Sequence, residues 1–471
     1  MAGFHIEHFG CRAARADGEA IAGNLRALCA GQPFAADVVV VNTCSVTAEA
    51  DRAARAFIRR AHRRDPAAKI VVTGCYAQRA PEELASMPGV VAVVGNSHKA
   101  LAPEIIFKMT HASTMSQASV ANSDLPALVP VEAVRWAPRS GPIPGLVPIW
   151  VDDNFAHSFL EDVQLTPGAQ TRPNLKIQEG CGNRCTFCVI PQTRGPSKSL
   201  PQASVLRQVH EFVARGGKEL VLSGINLGRW GSSPGLGRES LAGLVRAIIE
   251  QTSLPRLRLS SIEPMDWDDE LIGQLQEFGG RRLARHAHLP LQSGSDAVLR
   301  RMHRRYRPWH YAEKVSALVS ACGPGLTLGA DVMIGFPGET DREFEETLGF
   351  VRELPFGYLH LFPFSPRPGT PGWALHAASP VPSATVEERM AALRAVGEEK
   401  MLAHRRGFIG RTLTAITLHT PEAMAGAGGT SAISENFLPI SLDGCFQANE
   451  LLDVRVIGLD PDGSLTGLAA C

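Results

Sequence analysis

The sequence has no net charge: 47 Lys and Arg stand against 47 Asp and Glu in 471 residues. That excludes a chain that holds nucleic acid by bulk attraction, so any such partner must be met by local basic patches. No apolar run approaches the length of a membrane span, so no membrane partner is expected. The N-terminus lacks a basic segment followed by an apolar stretch, so no signal peptide is expected and a cytoplasmic location is. There is no repeat of fixed period. The ten cysteines are scattered rather than packed into a small disulfide framework, which turns attention to metal or catalysis.

Hydrophobic content of 44% and charged content of 20% fit a globular protein. The length predicts roughly two to four domains. Residues 1–108 alternate strand and helix, with apolar runs at Phe4–Phe9, Val38–Val41, Lys69–Thr73 and Val90–Val94. This is the pattern of a small parallel α/β domain. Residues 109–172 turn rich in Ser, Pro and Ala, including "APRSGPIPGLVP", and read as a linker or insertion with a strand at Trp150 or Phe159. Residues 173–400 return to α/β alternation. Candidate strands are Asn174–Gln178, Glu219–Ser223, Arg256–Ser260, His286–Pro290, Leu326–Met333 and Tyr358–Phe362. Such a series predicts a partial (β/α)6 barrel, too short to close fully. Residues 405–471 lose the helical pattern. The runs at 411–418, 438–442 and 451–459 predict a small all-β domain.

The stretch "GCGNRCTFC" places Cys181, Cys185 and Cys188 directly after the strand "LKIQ". Strand C-termini face the usual active mouth of parallel α/β folds. Three thiolates can hold a [4Fe–4S] cluster and leave one iron open. The alternative is structural zinc with a fourth ligand from elsewhere, although such sites usually use paired C-x2-C units.

A second set is hidden in the first domain. "FHIEHFGC", "VVVVNTC" and "KIVVTGC" end at Cys11, Cys44 and Cys75, each just beyond a predicted parallel strand. Loops at one sheet edge can converge on one site. Burial as inert cysteines is the alternative. The fourth strand ends "VVGNSH" and offers no cysteine.

The C-x3-C-x2-C spacing, with aromatic Phe187 before the last cysteine, resembles the radical S-adenosylmethionine superfamily. Further blocks extend the likeness over nearly the whole chain: "VVVVNTCSVTAEADRAARAFIRR", "VTGCYAQ", "KIQEGCGNRCTFCVIPQTRGPSKS", "HLPLQSGS" and "GFPGET". They resemble the methylthiotransferases. The resemblance implies two [4Fe–4S] clusters, one on Cys181, Cys185 and Cys188 and an auxiliary one on Cys11, Cys44 and Cys75. It implies that S-adenosylmethionine chelates the open iron of the first and yields a 5′-deoxyadenosyl radical. The auxiliary cluster then carries the sulfur. A TRAM-like domain is implied at the C-terminus. An electron donor and a sulfur source are implied as partners. A radical route suits a C–H bond too weakly acidic for side-chain bases.

Gly224, Asn226, Gln292 and Ser293 follow barrel strands and are candidates, with Phe187, for cofactor binding. Helix-cap or turn roles are the alternative. Arg52, Arg55, Arg59 and Arg63 recur at helical spacing after Cys44 and predict a basic stripe. Arg300, Arg301, Arg304, Arg305 and Arg307 form a second basic cluster, with Tyr306 and Trp309 interleaved. The stripe, Arg304 and Arg305, together with Arg194, are RNA-contact candidates; a solvated helix face is the alternative. Block similarity is strongest to the branch that adds methylthio to C2 of N6-threonylcarbamoyladenosine at tRNA position 37. The anticodon stem-loop is then the expected partner. N6-isopentenyladenosine or an aspartate of a ribosomal protein are alternative substrates, and a non-catalytic metal-containing RNA-binding protein is the alternative of another class. From residue 411 onward there are two Arg, no Lys and seven acidic residues, so the C-terminal domain should repel phosphate.

Overall fold

The computed structural model describes residues 3–28, 37–115, 147–155, 158, 160, 165, 172–232, 239–426 and 428–470. The first five strands are β1 (Phe4–His8), β2 (Val38–Thr43), β3 (Lys69–Gly74), β4 (Val90–Gly95) and β5 (Ile149–Trp150). They form one parallel sheet in that order. The β-branched runs "VVVV", "KIVV" and "VVAVV" suit strands buried on both faces. Alternate residues feed two cores. Val38, Val40, Val71 and Val94 pack with Ile21 and Leu25 on one face. Val41, Val72 and Val93 pack with Ile58 and Leu84 on the other.

Helix α1 (Arg12–Leu28) follows β1, and α2 (Ala48–Arg64) follows β2. Thr47 caps α2 by accepting from the Ala50 amide at 3.2 Å. The short α3 (Cys75–Arg79) begins at the third cysteine. The helix Ala102–Met115 runs past residue 108, so the chain is still helical where the sequence pattern predicts a linker. Trp150 lies in β5, as one of the two expected positions; Phe159 lies outside the described residues.

The remaining strands belong to a second compact unit. They begin with β6 (Asn174–Glu179), β7 (Lys198–Ser199), β8 (Glu219–Gly224) and β9 (Arg256–Leu259), which form one sheet in the order β7-β6-β8-β9. β10 (His286–His288), β11 (Thr327–Ile334) and β12 (Phe356–Pro363) form the next. All pairs are parallel except the short antiparallel β7 against β6. The six expected barrel strands are therefore present, but the ladder breaks between β9 and β10. There Leu257 bridges Leu283 instead, with Leu257 N donating to Arg282 O at 2.8 Å.

The C-terminal segment is a closed barrel, order β13-β14-β15-β17-β16. Its strands are β13 (Thr412–Thr417), β14 (Gly429–Ser434), β15 (Pro439–Asp443), β16 (Leu451–Leu459) and β17 (Leu465–Ala469). β14 and β17, "GTSAIS" and "LTGLA", carry too little apolar alternation to stand out in the sequence. The β14–β15 turn holds Phe437 at φ 69° against side chains of β9, β10 and β12. Its ring lies 4.6 Å from His286 and 5.7 Å from Tyr358, centroid to centroid, and the Arg258 guanidinium is 5.4 Å from it. Beside it, fully buried Glu219 accepts from Arg256 at 3.1 Å and Arg258 at 2.8 Å. The same two arginines donate to Thr414 O and Ser434 O of the small barrel. Burial alone raises the Glu219 pKa, but Arg258, then Arg256 and Arg172, outweigh it and hold the carboxyl below its ordinary range.

Candidate metal centres

In the first unit, parallel pairing brings the C-terminal ends of β1, β2 and β3 to one edge. Cys11 lies three residues beyond β1, while Cys44 and Cys75 directly follow β2 and β3. None is in a disulfide; Cys44 and Cys75 are buried and Cys11 is exposed. Their proximity shows in the Cys44 thiol. Burial first, then the neighbouring Cys75 and Cys11, push its pKa up to about 12. Gly10 and Gly74 keep the backbone close. A Cβ on Gly10 (φ 102°) would sit 2.6 Å from Cys44 Sγ, and one on Gly74 (φ 98°) only 2.3 Å from Thr43 O.

Two nitrogen donors converge on Cys75 Sγ: Asn96 Nδ2 at 3.3 Å and Arg194 Nε at 3.2 Å. Asn96 follows β4, the strand whose end carries no cysteine, so that strand supplies a sulfur's hydrogen-bond partner instead. Sequence reading passed over it because Asn after a strand is also an ordinary turn residue. Soft thiols, tight glycine approaches and N–H donors aimed at sulfur together suit an iron–sulfur cluster. A closed zinc site would need a fourth protein ligand beside these three thiols, whereas a cluster held by three leaves one iron open.

The other triad sits on the loop after β6. Gly180 turns the chain at φ 70°, where a Cβ would meet Pro196 O at 2.1 Å, and Cys181 N donates to Gly195 O at 3.1 Å. Cys188 N donates to Cys185 O at 3.1 Å, a tight turn that holds the last two cysteines together. Thr186 between them is pinned through its amide to Met302 O at 3.1 Å and through its hydroxyl to Arg301 O at 2.9 Å. Arg304 Nη1 donates to Cys185 Sγ at 3.4 Å, and its Nη2 is paired with Glu263. All three thiols are half-buried and free of disulfides, and three thiolates are the donor type that a cluster takes. Half-buried Phe187 lies between Thr186 and Cys188 on this loop.

The other barrel candidates divide. Asn226 N donates to Gln178 Oε1 at 2.7 Å, and a Cβ on Gly224 would meet Gln178 at 2.9 Å, so the β8 end is held tightly against β6. Gln292 adopts φ 65°, with its backbone bonded to Asp331 O and Met333 N on β11. Ser293 is fully buried and its hydroxyl bonds Thr347 Oγ1 at 3.0 Å. Deeper in the partial barrel, Asp331 Oδ1 meets His288 Nε2 at 3.1 Å and His360 Nδ1 at 3.2 Å. The phenol of Tyr358 links His288 at 3.0 Å and His286 at 2.8 Å. Burial raises the Asp331 pKa, but hydrogen bonds from the two histidines reverse this and hold it well below the usual carboxylate range. Sequence reading missed this group because its members lie on three strands, β10, β11 and β12.

The basic residues also separate. Arg52, Arg59 and Arg63 are exposed on α2. Arg55 is half-buried and bonds Tyr76, with Glu83 at 3.1 Å. Arg305 and Trp309 are exposed. In the rest of the second cluster Arg300 pairs with Asp296, Arg301 with Glu343 and Arg307 with Asp296, as Arg52 pairs with Glu49 on α2. Arg304 is buried, and Tyr306 is fully buried with its hydroxyl on Leu291 O at 2.7 Å. Arg194 is 1% exposed, and its guanidinium faces Cys75 and Asp17 rather than solvent. RNA contact by Arg194 or Arg304 is thereby corrected.

Two family models match the chain. Uncharacterized protein family UPF0004 covers residues 3–95, and the Radical SAM superfamily covers residues 175–351. The threonylcarbamoyladenosine tRNA methylthiotransferase MtaB of Bacillus subtilis is 37% identical, over 71% of this chain and 67% of its own. The enzyme of the same name from Rickettsia prowazekii is 30% identical over 97% of this chain and 95% of its own. The tRNA-2-methylthio-N(6)-dimethylallyladenosine synthase of Novosphingobium aromaticivorans is 33% identical, over 87% and 85%.

Proposed function

Since the chain belongs to the radical S-adenosylmethionine tRNA methylthiotransferases, we propose that it adds methylthio to C2 of N6-threonylcarbamoyladenosine at tRNA position 37. The observation that carries this choice is a polar cluster on β10, β11 and β12: His286, His288, Tyr358, Asp331 and His360 in one hydrogen-bonded chain. A threonylcarbamoyl group bears a carboxylate, a hydroxyl and amide groups, and such a cluster offers them partners. An isopentenyl group has no polar atom with which to use such partners.

Cys181, Cys185 and Cys188 would hold the cluster that binds S-adenosylmethionine, and Cys11, Cys44 and Cys75 the auxiliary one. When bound, these groups supply the radical that breaks the C–H bond and the sulfur that replaces it. The protein's own residues do the positioning. Arg304, locked by Glu263 and packed 4.8 Å from the Tyr306 ring, donates to Cys185 and fixes its loop. Gly224, Asn226 and Gln292 shape the strand ends. Arg52, Arg59 and Arg63 take tRNA phosphate near the anticodon. The electron and the sulfur come from outside donors.

The test is mass spectrometry of nucleosides from bulk tRNA, with the gene present and deleted. Loss of the methylthio form of N6-threonylcarbamoyladenosine, with its parent accumulating, supports the reading. Loss of the methylthio-isopentenyl nucleoside instead transfers it to the substrate class of the Novosphingobium relative.

A further inference from the structure

Arg194 is the most deeply buried of the arginines considered for RNA. Its Nε points at Cys75 Sγ, at 3.2 Å, and its Nη1 is fixed by Asp17 Oδ2 at 2.9 Å. Asp17 is itself buried and takes Lys99 Nζ at 3.3 Å on its other oxygen. Asn96 reaches the same sulfur and also donates to Thr193 O, the residue before Arg194, at 2.8 Å. A buried guanidinium is costly to keep, and here it is oriented by a carboxylate onto one ligand-type sulfur. Hydrogen bonds and positive charge at a thiolate withdraw electron density from the iron it binds and favour the reduced cluster.

We propose that Arg194, seconded by Asn96 and held by Asp17, is a positioning residue that sets the reduction potential of the auxiliary cluster through Cys75. This rests on the reading that Cys11, Cys44 and Cys75 hold that cluster. Two N–H donors on Cys75 place its potential above that of the same cluster without them. Arg194 also stands six residues after Cys188 in the chain, so one short segment carries both the last ligand of the first triad and the sulfur partner of the second.

The test uses the full-length chain with Cys181→Ala, Cys185→Ala and Cys188→Ala, so that every iron signal comes from the second triad. After anaerobic reconstitution, iron and sulfide are counted and the midpoint potential is read by EPR-monitored redox titration. Arg194→Met should lower the midpoint, Asn96→Leu should lower it less, and Arg194→Lys should recover part of the shift. An iron-loaded Arg194→Met with the parent's midpoint and EPR line shape overturns the proposal. If Arg194→Met cannot hold iron, Asn96→Leu and Arg194→Lys decide: a lowered midpoint in both supports the role, and an unchanged midpoint in both removes it. If the parent itself takes up no iron and sulfide, the assignment of the second triad is wrong, and the role of Arg194 falls with it.

Discussion

At the scale of single residues, the six cysteines of the two triads are set apart from the other cysteines by position rather than by type. One triad lies at the C-terminal ends of three parallel strands, where loops converge, and the other on the single loop after β6. Cys75→Ala should therefore remove one cluster and spare the other. Iron in reconstituted protein should fall from about eight to about four per chain, with sulfide in step. Retention of the full iron complement would show that Cys75 is only a buried thiol. The neighbours of these cysteines were harder to foresee. Arg194 and Arg304 resemble surface arginines in the sequence, yet each is buried and donates to a cysteine sulfur. Only the tertiary fold tells a phosphate-seeking arginine from a sulfur-seeking one, because burial is decided by residues far away in the chain.

At the scale of elements, the junction of partial barrel and small barrel depends on Glu219, Arg256, Arg258 and Phe437. Arg258→Leu leaves a fully buried carboxylate with less compensation and should cost about 3 kcal/mol or more in chemical denaturation. Phe437→Ala removes a half-buried ring from His286, Tyr358 and Arg258. It should cost about 2 kcal/mol, less than the loss of a fully buried Phe. The pH dependence follows from Glu219. Its folded pKa lies below the ordinary 4.5, so its stabilising contribution is complete above that value and is lost as pH falls below it. Thermal unfolding should therefore show a midpoint that drops as pH falls below about 4.5, and Glu219→Gln should flatten that slope. A parallel slope in the variant would assign the acid sensitivity to other carboxylates, Asp331 first among them.

At the scale of the whole molecule, zero net charge makes the distribution of charge decide how tRNA is met. Arg52, Arg59 and Arg63 form an exposed basic stripe on α2. Arg59→Ala with Arg63→Ala should weaken tRNA binding and reduce the salt dependence by about one to two phosphate contacts. Iron content should stay unchanged. Binding measured across a salt series checks this, and an unaltered slope would place the phosphates elsewhere. The C-terminal barrel, with two Arg against seven acidic residues from residue 411, makes extensive contacts to the partial barrel instead.

The sequence by itself determined the order of architectures, most strand positions and both cysteine triads. These depend on local properties: β-branched runs, alternation of strand with helix, and spacing within a few residues. It also carried the family blocks. The tertiary structure alone decided what each polar side chain meets. Asn96 and Arg194 reach Cys75 across 21 and 119 residues of chain, and Arg285 reaches Glu435 across 150. It likewise gathered His288, Asp331 and His360 from three strands into one hydrogen-bonded group. No window along the chain contains such partners, because a hydrogen bond is set by distance in space and a sequence pattern only by distance along the backbone.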